Sequence, residues 1–179
     1  MTSHEQPVEI VEYNPSWPLL FDQEREVLTR SLAPWLAGPV EHIGSTAVLG
    51  LAAKPVVDIM AAVLTLESSR PAIQAATELG YCYFPYRVES EHWFCKPSPL
   101  FRTHHFHLVP IRSSQWAETI AFRDHLRAHS DVASEYEALK RRLAREFRFD
   151  REAYTEAKRP FIDRIIRVAT EQKHGSASA

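Results

Sequence analysis

The chain has 179 residues, of which 45% are apolar and 25% charged, with a net charge of −2. That length is enough to bury a full core as one domain, and a near-neutral balance gives no global basic field arguing for nucleic acid as a partner. No window approaches the roughly 18 uninterrupted apolar residues of a membrane span, so no membrane association is expected.

The opening Met-Thr-Ser-His-Glu-Gln-Pro lacks a basic stretch followed by an apolar core, so no signal peptide is expected. Cys82 and Cys95 sit among apolar and aromatic residues and read as buried free thiols. Together these features place the protein in a reducing cytoplasm.

Residues 1–7 are expected to be a disordered tail. Val8 to Tyr13 alternates loosely, as a short edge strand does. A helix should run from about Pro18 to Leu36, closed by Pro34 and Gly38-Pro39. Val40 to Ile43 reads as a strand that breaks at Gly44, and Val56 to Val63 as a second strand. Thr65 or Ser69 can cap a helix ending near Leu79, with Gly80 just beyond it.

Tyr81 to Tyr86 and Glu91 to Lys96 are aromatic-rich and favour strands. Thr103 to Ile111 has a period of two: His105, His107 and Val109 face one way, Phe106 and Leu108 the other. Helices are then predicted over 116–128, over 131–147, and over 151–172 with Asp150 as its cap, followed by a disordered tail over 173–179. The expected fold class is α+β, a mixed β-sheet flanked by helices with a helical C-terminal third. Its single domain covers 8–172, with the sheet part over about 8–112 and the helical part over about 113–172.

The stretch from His42 to Asp58 carries the first chemistry. Gly44, Ser45 and Thr46 follow a strand directly, and such a loop offers uncovered amides to an anion. Asp58, inside the next strand, is a carboxylate that can hold a divalent cation beside a phosphate. A plain connection, with Asp58 satisfied by a loop amide, is the bland alternative.

Lys54 can meet a phosphate as a point charge. Arg123 and Arg127, four apart on one helix face, can clamp a phosphate or form an ion-pair network with Asp124. Lys158 lies four residues after Tyr154, and the two can face the same cleft or form a plain surface pair. The aromatic group around Trp93 reads as core, with a base-stacking platform as the sharper option.

Beyond His42–Ile59, the chain carries Tyr13-Asn14-Pro15-Ser16-Trp17-Pro18, Thr103-His104-His105-Phe106-His107-Leu108-Val109, Phe122-Arg123-Asp124-His125, Glu135-Tyr136-Glu137-Ala138-Leu139-Lys140 and Tyr154-Thr155-Glu156-Ala157-Lys158. With these motifs the sequence resembles the GrpB (UPF0157) family over about residues 8–170. That family is itself placed in the nucleotidyltransferase superfamily. The resemblance implies a nucleotidyltransferase-like fold, with Gly44-Ser45 against a nucleotide triphosphate and Asp58 at the first of two acidic magnesium-binding positions. The second position falls on Met60, which cannot bind a hard cation.

The remaining ligands would come from the histidine strand. His105 and His107 with Asp58 make an expected metal site for magnesium, manganese or zinc, the imidazoles favouring zinc or manganese. The alternative is that the histidines contact phosphate or hydrogen-bond within a polar cleft.

Related domains fused to dephospho-coenzyme A kinase suggest a link to coenzyme A metabolism. The expected activity is therefore nucleotidyl or phosphoryl transfer by a metal-dependent transferase, with Asp58 and His107 as catalytic residues acting on a nucleotide or phosphorylated small molecule. The alternatives are a non-catalytic nucleotide-binding or coenzyme A-related accessory domain, and a metal-dependent hydrolase using Asp58, His105 and His107.

Overall fold

A computed structural model describes residues 7–176, with side chains up to 172. Of the tails expected over 1–7 and 173–179, residues 1–6 and 177–179 lie outside the described residues, and 173–176 continue the last helix to Ser176. Helix α1 (Trp17–Ser31) starts with Pro18 in its first turn, where a missing N–H costs nothing. It stops near Pro34, and the chain then enters β1 (Leu36–Ile43), four residues earlier than Val40. The predicted helix over 18–36 was thus too long.

Gly38-Pro39 does not close a helix. It sits in β1 where the register with the next strand shifts between Leu36 and Val40. An irregularity of that kind tolerates a proline with no N–H to donate. A Cβ at Gly38 would lie 2.7 Å from Ile111 Cδ1 and 3.1 Å from Ala62 Cβ, so a larger residue would make the Ile111 side chain shift.

After a single 3-10 turn (Ser45–Ala47) come β2 (Val57–Val63), α2 (Pro71–Glu78), β3 (Cys82–Phe84), β4 (His92–Pro97) and β5 (Arg102–Pro110). Strand order is β1-β2-β5-β4-β3. Only the β2–β5 pairing is parallel. The N-terminal stretch is not a strand; it makes one bridge, Val11 with Ala53. Neither Thr65 nor Ser69 caps α2; Ser69 Oγ instead donates to the Thr65 carbonyl at 2.8 Å.

The two sheet faces have different partners. Val57, Ile59, Ala61 and Val63 of β2, Phe94 of β4, and Phe106 and Leu108 of β5 are buried in one core with Phe21 and Leu28 of α1 and Ala72 and Ala76 of α2. Burying this many large side chains, at roughly 1.5–3 kcal/mol each, supplies the main folding force. The opposite face carries Asp58, Met60, His105, His107 and Val109. Helix α3 (Ser114–Ala128), capped by Ser113 Oγ, lays Trp116 and Ile120 over Met60 and Val109 and closes one end of that face.

Helices α4 (Ser130–Glu146), α5 (Arg151–Ala157) and α6 (Arg159–Ser176) complete the layer, with Leu126, Tyr136, Phe161 and Ile165 packed on Val48 and Leu51 of the loop after β1. Asp150 caps α5 as expected, accepting from the Ala153 amide at 2.9 Å. The predicted last helix is two helices, broken at Lys158. Pro160 explains the break: it has no N–H to donate and its ring crowds the carbonyl four residues back.

Candidate functional site

The uncovered part of the second sheet face is the floor of a cleft enclosing about 590 Å³, within the roughly 300–1,000 Å³ range of ligand sites. Its roof comes from α4, α5 and the residues just after α5. The centre of the floor is Asp58. Gly44 crosses directly over it at φ 68° and ψ −170°, a region only glycine occupies readily. A Cβ at Gly44 would lie 2.5 Å from Asp58 Oδ2. The expected loop therefore does lie against the expected aspartate.

The loop is fixed from behind. Arg123 Nη1 donates to the His42 carbonyl at 3.0 Å and to Glu41 Oε2 at 2.6 Å, while its Nε donates to Asp124. Arg127 Nε donates to the Ala47 carbonyl at 2.9 Å. His42 stacks on Phe21 with ring centroids 4.7 Å apart, and its Nε2 is 3.0 Å from Thr46 Oγ1. Burial pushes the His42 imidazole down to about 4, so it is neutral at pH 7. Of the two readings of Arg123, a phosphate clamp or an ion-pair network with Asp124, its contacts are those of the network, and it does not line the cleft.

The parallel pairing of β2 and β5 sets Asp58 opposite His105 and Met60 opposite His107. His105 Nδ1 is 2.9 Å from Asp58 Oδ1. Burial works against the Asp58 anion, but the His105 hydrogen bond, both imidazoles and Lys54 outweigh it and hold the carboxyl below its usual range. For His105 burial wins, and its pKa falls.

His107 turns the other way, with Nδ1 2.5 Å from Glu91 Oε2. Burial opposes its charge, and Glu91 overcomes that and raises its pKa. The expected metal donors thus divide into two separate carboxylate–imidazole pairs. Among the described residues no three His, Cys, Asp or Glu side chains gather as a metal-holding group. In this arrangement each imidazole Nδ1 is taken by a different carboxylate, His105 by Asp58 and His107 by Glu91.

The cation side is richer than expected. Lys54 and Lys158 both lie over the Tyr154 ring, with Nζ 5.5 and 4.4 Å from its centroid. Lys140, 2% exposed, places Nζ over Tyr136 and donates to the Ala52 carbonyl. Burial pushes Lys54 and Lys158 down to about 8 and Lys140 to about 7; the charge of Lys158 adds to the effect on the other two. None of the three is ion-paired among the described residues. Asp58, already engaged with His105, favours the charge of Lys54 and Lys158, and Glu137 followed by Asp58 favours that of Lys140.

The other end of the cleft is aromatic, with Phe84, Tyr86 and Trp93 in its wall. Arg102 lies 5.3 Å from the Trp93 ring centroid, and Arg87 pairs with Glu156 at 3.7 Å across the mouth.

Gly44, Ser45, Thr46, Lys54, Asp58, His105, His107 and Lys158 are therefore gathered at one place, and Arg123 is not. Lys140, Tyr136 and Glu91 were missed as site residues. Lys140 carried a signal, since it falls one turn after Tyr136 within the apolar stripe of α4, where a lysine is otherwise out of place.

The family model described as GrpB protein matches residues 7–167. A UPF0157 protein of Pseudomonas aeruginosa is 37% identical over 89% of this chain and 66% of its own length. The glutamate-rich protein GrpB of Alkalihalophilus pseudofirmus is 32% identical over 88% of this chain and 92% of its own. This chain thus spans just under two thirds of the Pseudomonas relative and nearly all of the other.

The crystal structure of conserved protein GrpB from Enterococcus faecalis superposes with a TM-score of 0.83 at 31% identity, covering 92% of this chain and 99% of that one. No helix among the described residues is long and apolar enough to cross a membrane. On the match of the family model to residues 7–167 and on these relatives, the chain belongs to the GrpB family.

Proposed function

We propose that this protein binds a phosphorylated small molecule, a nucleotide or a coenzyme A-type compound, with its phosphates among Lys54, Lys140, Lys158 and the Gly44–Thr46 loop. One observation carries the reading: buried Lys140 and half-buried Lys54 and Lys158 line one cleft, none of them ion-paired among the described residues. Such a cluster costs folding free energy in the absence of an anion. A phosphate supplies the missing charge and restores the lysine protons. The aromatic wall at the far end suits a ring carried on the same ligand.

Nucleotidyl or phosphoryl transfer, as in a nucleotidyltransferase-like enzyme, is the second reading, and Asp58 favours it. Its carboxylate is kept ionised beneath the loop, in position to hold a divalent ion that also contacts the ligand's phosphates. Met60 withholds the second carboxylate, packing instead against α3. Hydrolysis at the same cleft would draw on the same groups.

Thermal shift with pyrophosphate, ATP, CTP and coenzyme A, each with and without Mg²⁺, Mn²⁺ or Zn²⁺, tests both readings. A ligand at one hundred times its Kd adds about 2.7 kcal/mol, or roughly 5–10 °C in Tm for a chain of this size. The binding reading expects that shift with pyrophosphate alone, and its loss in Lys158→Met. Transfer expects a shift that needs nucleotide with metal and disappears in Asp58→Ala. Absence of any shift with all four ligands would overturn the binding reading.

A further inference from the structure

Cys82 and Cys95 stand directly opposite each other in the antiparallel β3–β4 pairing. Residues so opposed have Cα atoms about 4.5–5.5 Å apart and side chains on one face. That separation lies inside the span of about 4.4–6.8 Å that a disulfide bridges. Both side chains are free thiols.

Their access differs. Cys95 is fully buried, while Cys82 is partly exposed on a three-residue edge strand and its Sγ donates to the Pro97 carbonyl at 3.6 Å. Burial raises the Cys95 thiol, and the charges of Arg102 and Arg151 work against that. The transverse row containing the two cysteines continues through His105 to Asp58, so the pair lies in line with the cleft floor.

We propose that Cys82 and Cys95 form an oxidisable dithiol that a peroxide closes into a cross-strand disulfide beside the cleft. The inference is independent of any phosphate ligand. Cys82 Sγ, the accessible sulfur, attacks one oxygen of hydrogen peroxide. The O–O bond breaks, and the departing hydroxide takes the Cys82 proton and leaves as water. Cys95 Sγ then attacks the sulfenic sulfur of Cys82; the S–O bond breaks, and the second hydroxide takes the Cys95 proton and leaves as water. Two thiols are oxidised by two electrons and one peroxide is reduced to two waters. The consequence is a covalent tie between β3 and β4, the strands whose connection carries Tyr86 and Arg87 at the cleft mouth.

The test is thiol titration in denaturant and intact mass before and after hydrogen peroxide. The expected result is a fall from two free thiols to none in a monomer that has lost two hydrogens. A Cys82–Cys95 linked peptide should accompany it, and dithiothreitol should reverse the change. In Cys82→Ser the same dose should leave the Cys95 thiol intact. Both thiols surviving excess peroxide, Cys82 reaching sulfinic acid beside a free Cys95, or dimers linked through Cys82 would each overturn the proposal.

Discussion

Replacing Gly44 by alanine strikes the contact on which the cleft depends. Two separate costs apply. The backbone at φ 68° and ψ −170° lies in a region where a non-glycine residue costs about 1–3 kcal/mol. The new Cβ would also lie 2.5 Å from Asp58 Oδ2 and 3.1 Å from Asp58 Cγ, so the carboxylate must swing away and lose its bond to His105, about 1.5–3 kcal/mol for a charged hydrogen bond.

Together Gly44→Ala should cost about 2.5–6 kcal/mol, or roughly 5–24 °C in Tm. Asp58→Ala removes Oδ2 and Cγ and keeps Cβ, 3.1 Å from the added methyl, so in that background the backbone cost and this milder contact remain. Urea denaturation of the two single variants and the double variant measures the difference, and the coupling should be about 1.5–3 kcal/mol. Equal costs of Gly44→Ala in both backgrounds, or a Gly44→Ala variant within about 0.5 kcal/mol of the parent, would refute the close crossing of loop and carboxylate.

Two further predictions concern pH. His42 is held down to about 4 in the folded chain against 6.5 unfolded, so the unfolded chain takes the proton first. Stability should therefore fall as pH drops from about 6.5 to 4, by about 3 kcal/mol. His42→Gln keeps a partner for Thr46 and should flatten that window in urea titrations. If the two profiles remain parallel, His42 is not neutral in the fold.

Lys140 is pushed down to about 7 from 10.5, so the folded chain holds fewer protons than the unfolded one between these values, and stability should rise with pH across them. Lys140→Met should reduce that rise by about 5 kcal/mol at most and leave Tm at pH 7 unchanged or higher. A methionine variant with the parental slope would place the ammonium in water.

Periodicity alone located β2, β5 and their faces. The alternation of His105, His107 and Val109 against Phe106 and Leu108 is a local property of an extended chain; it separated the two faces, with His105 and His107 in the cleft and Val109 buried under α3 on the same face. The Gly44–Thr46 loop and Asp58 were legible for a similar reason, since glycine and a charge inside an apolar strand are costly unless a close approach requires them. Tertiary structure decided the rest. The pairing of His105 with Asp58, but of His107 with Glu91, depends on which strand lies on each side of β5, and sequence spacing does not carry strand order.

Arg123 had a helical spacing equally suited to clamping a ligand or an ion pair; Glu41 and the His42 carbonyl, more than eighty residues away in sequence, settled it. Lys140 and Lys158 reach the cleft only because α4 packs across the loop after β1 and the helix breaks before Pro160. The sequence by itself determined that a glycine-bearing loop and the Asp58 carboxylate belong to one place. Only the fold assembled the lysines around it, because convergence of distant side chains is a property of packing and not of any local pattern.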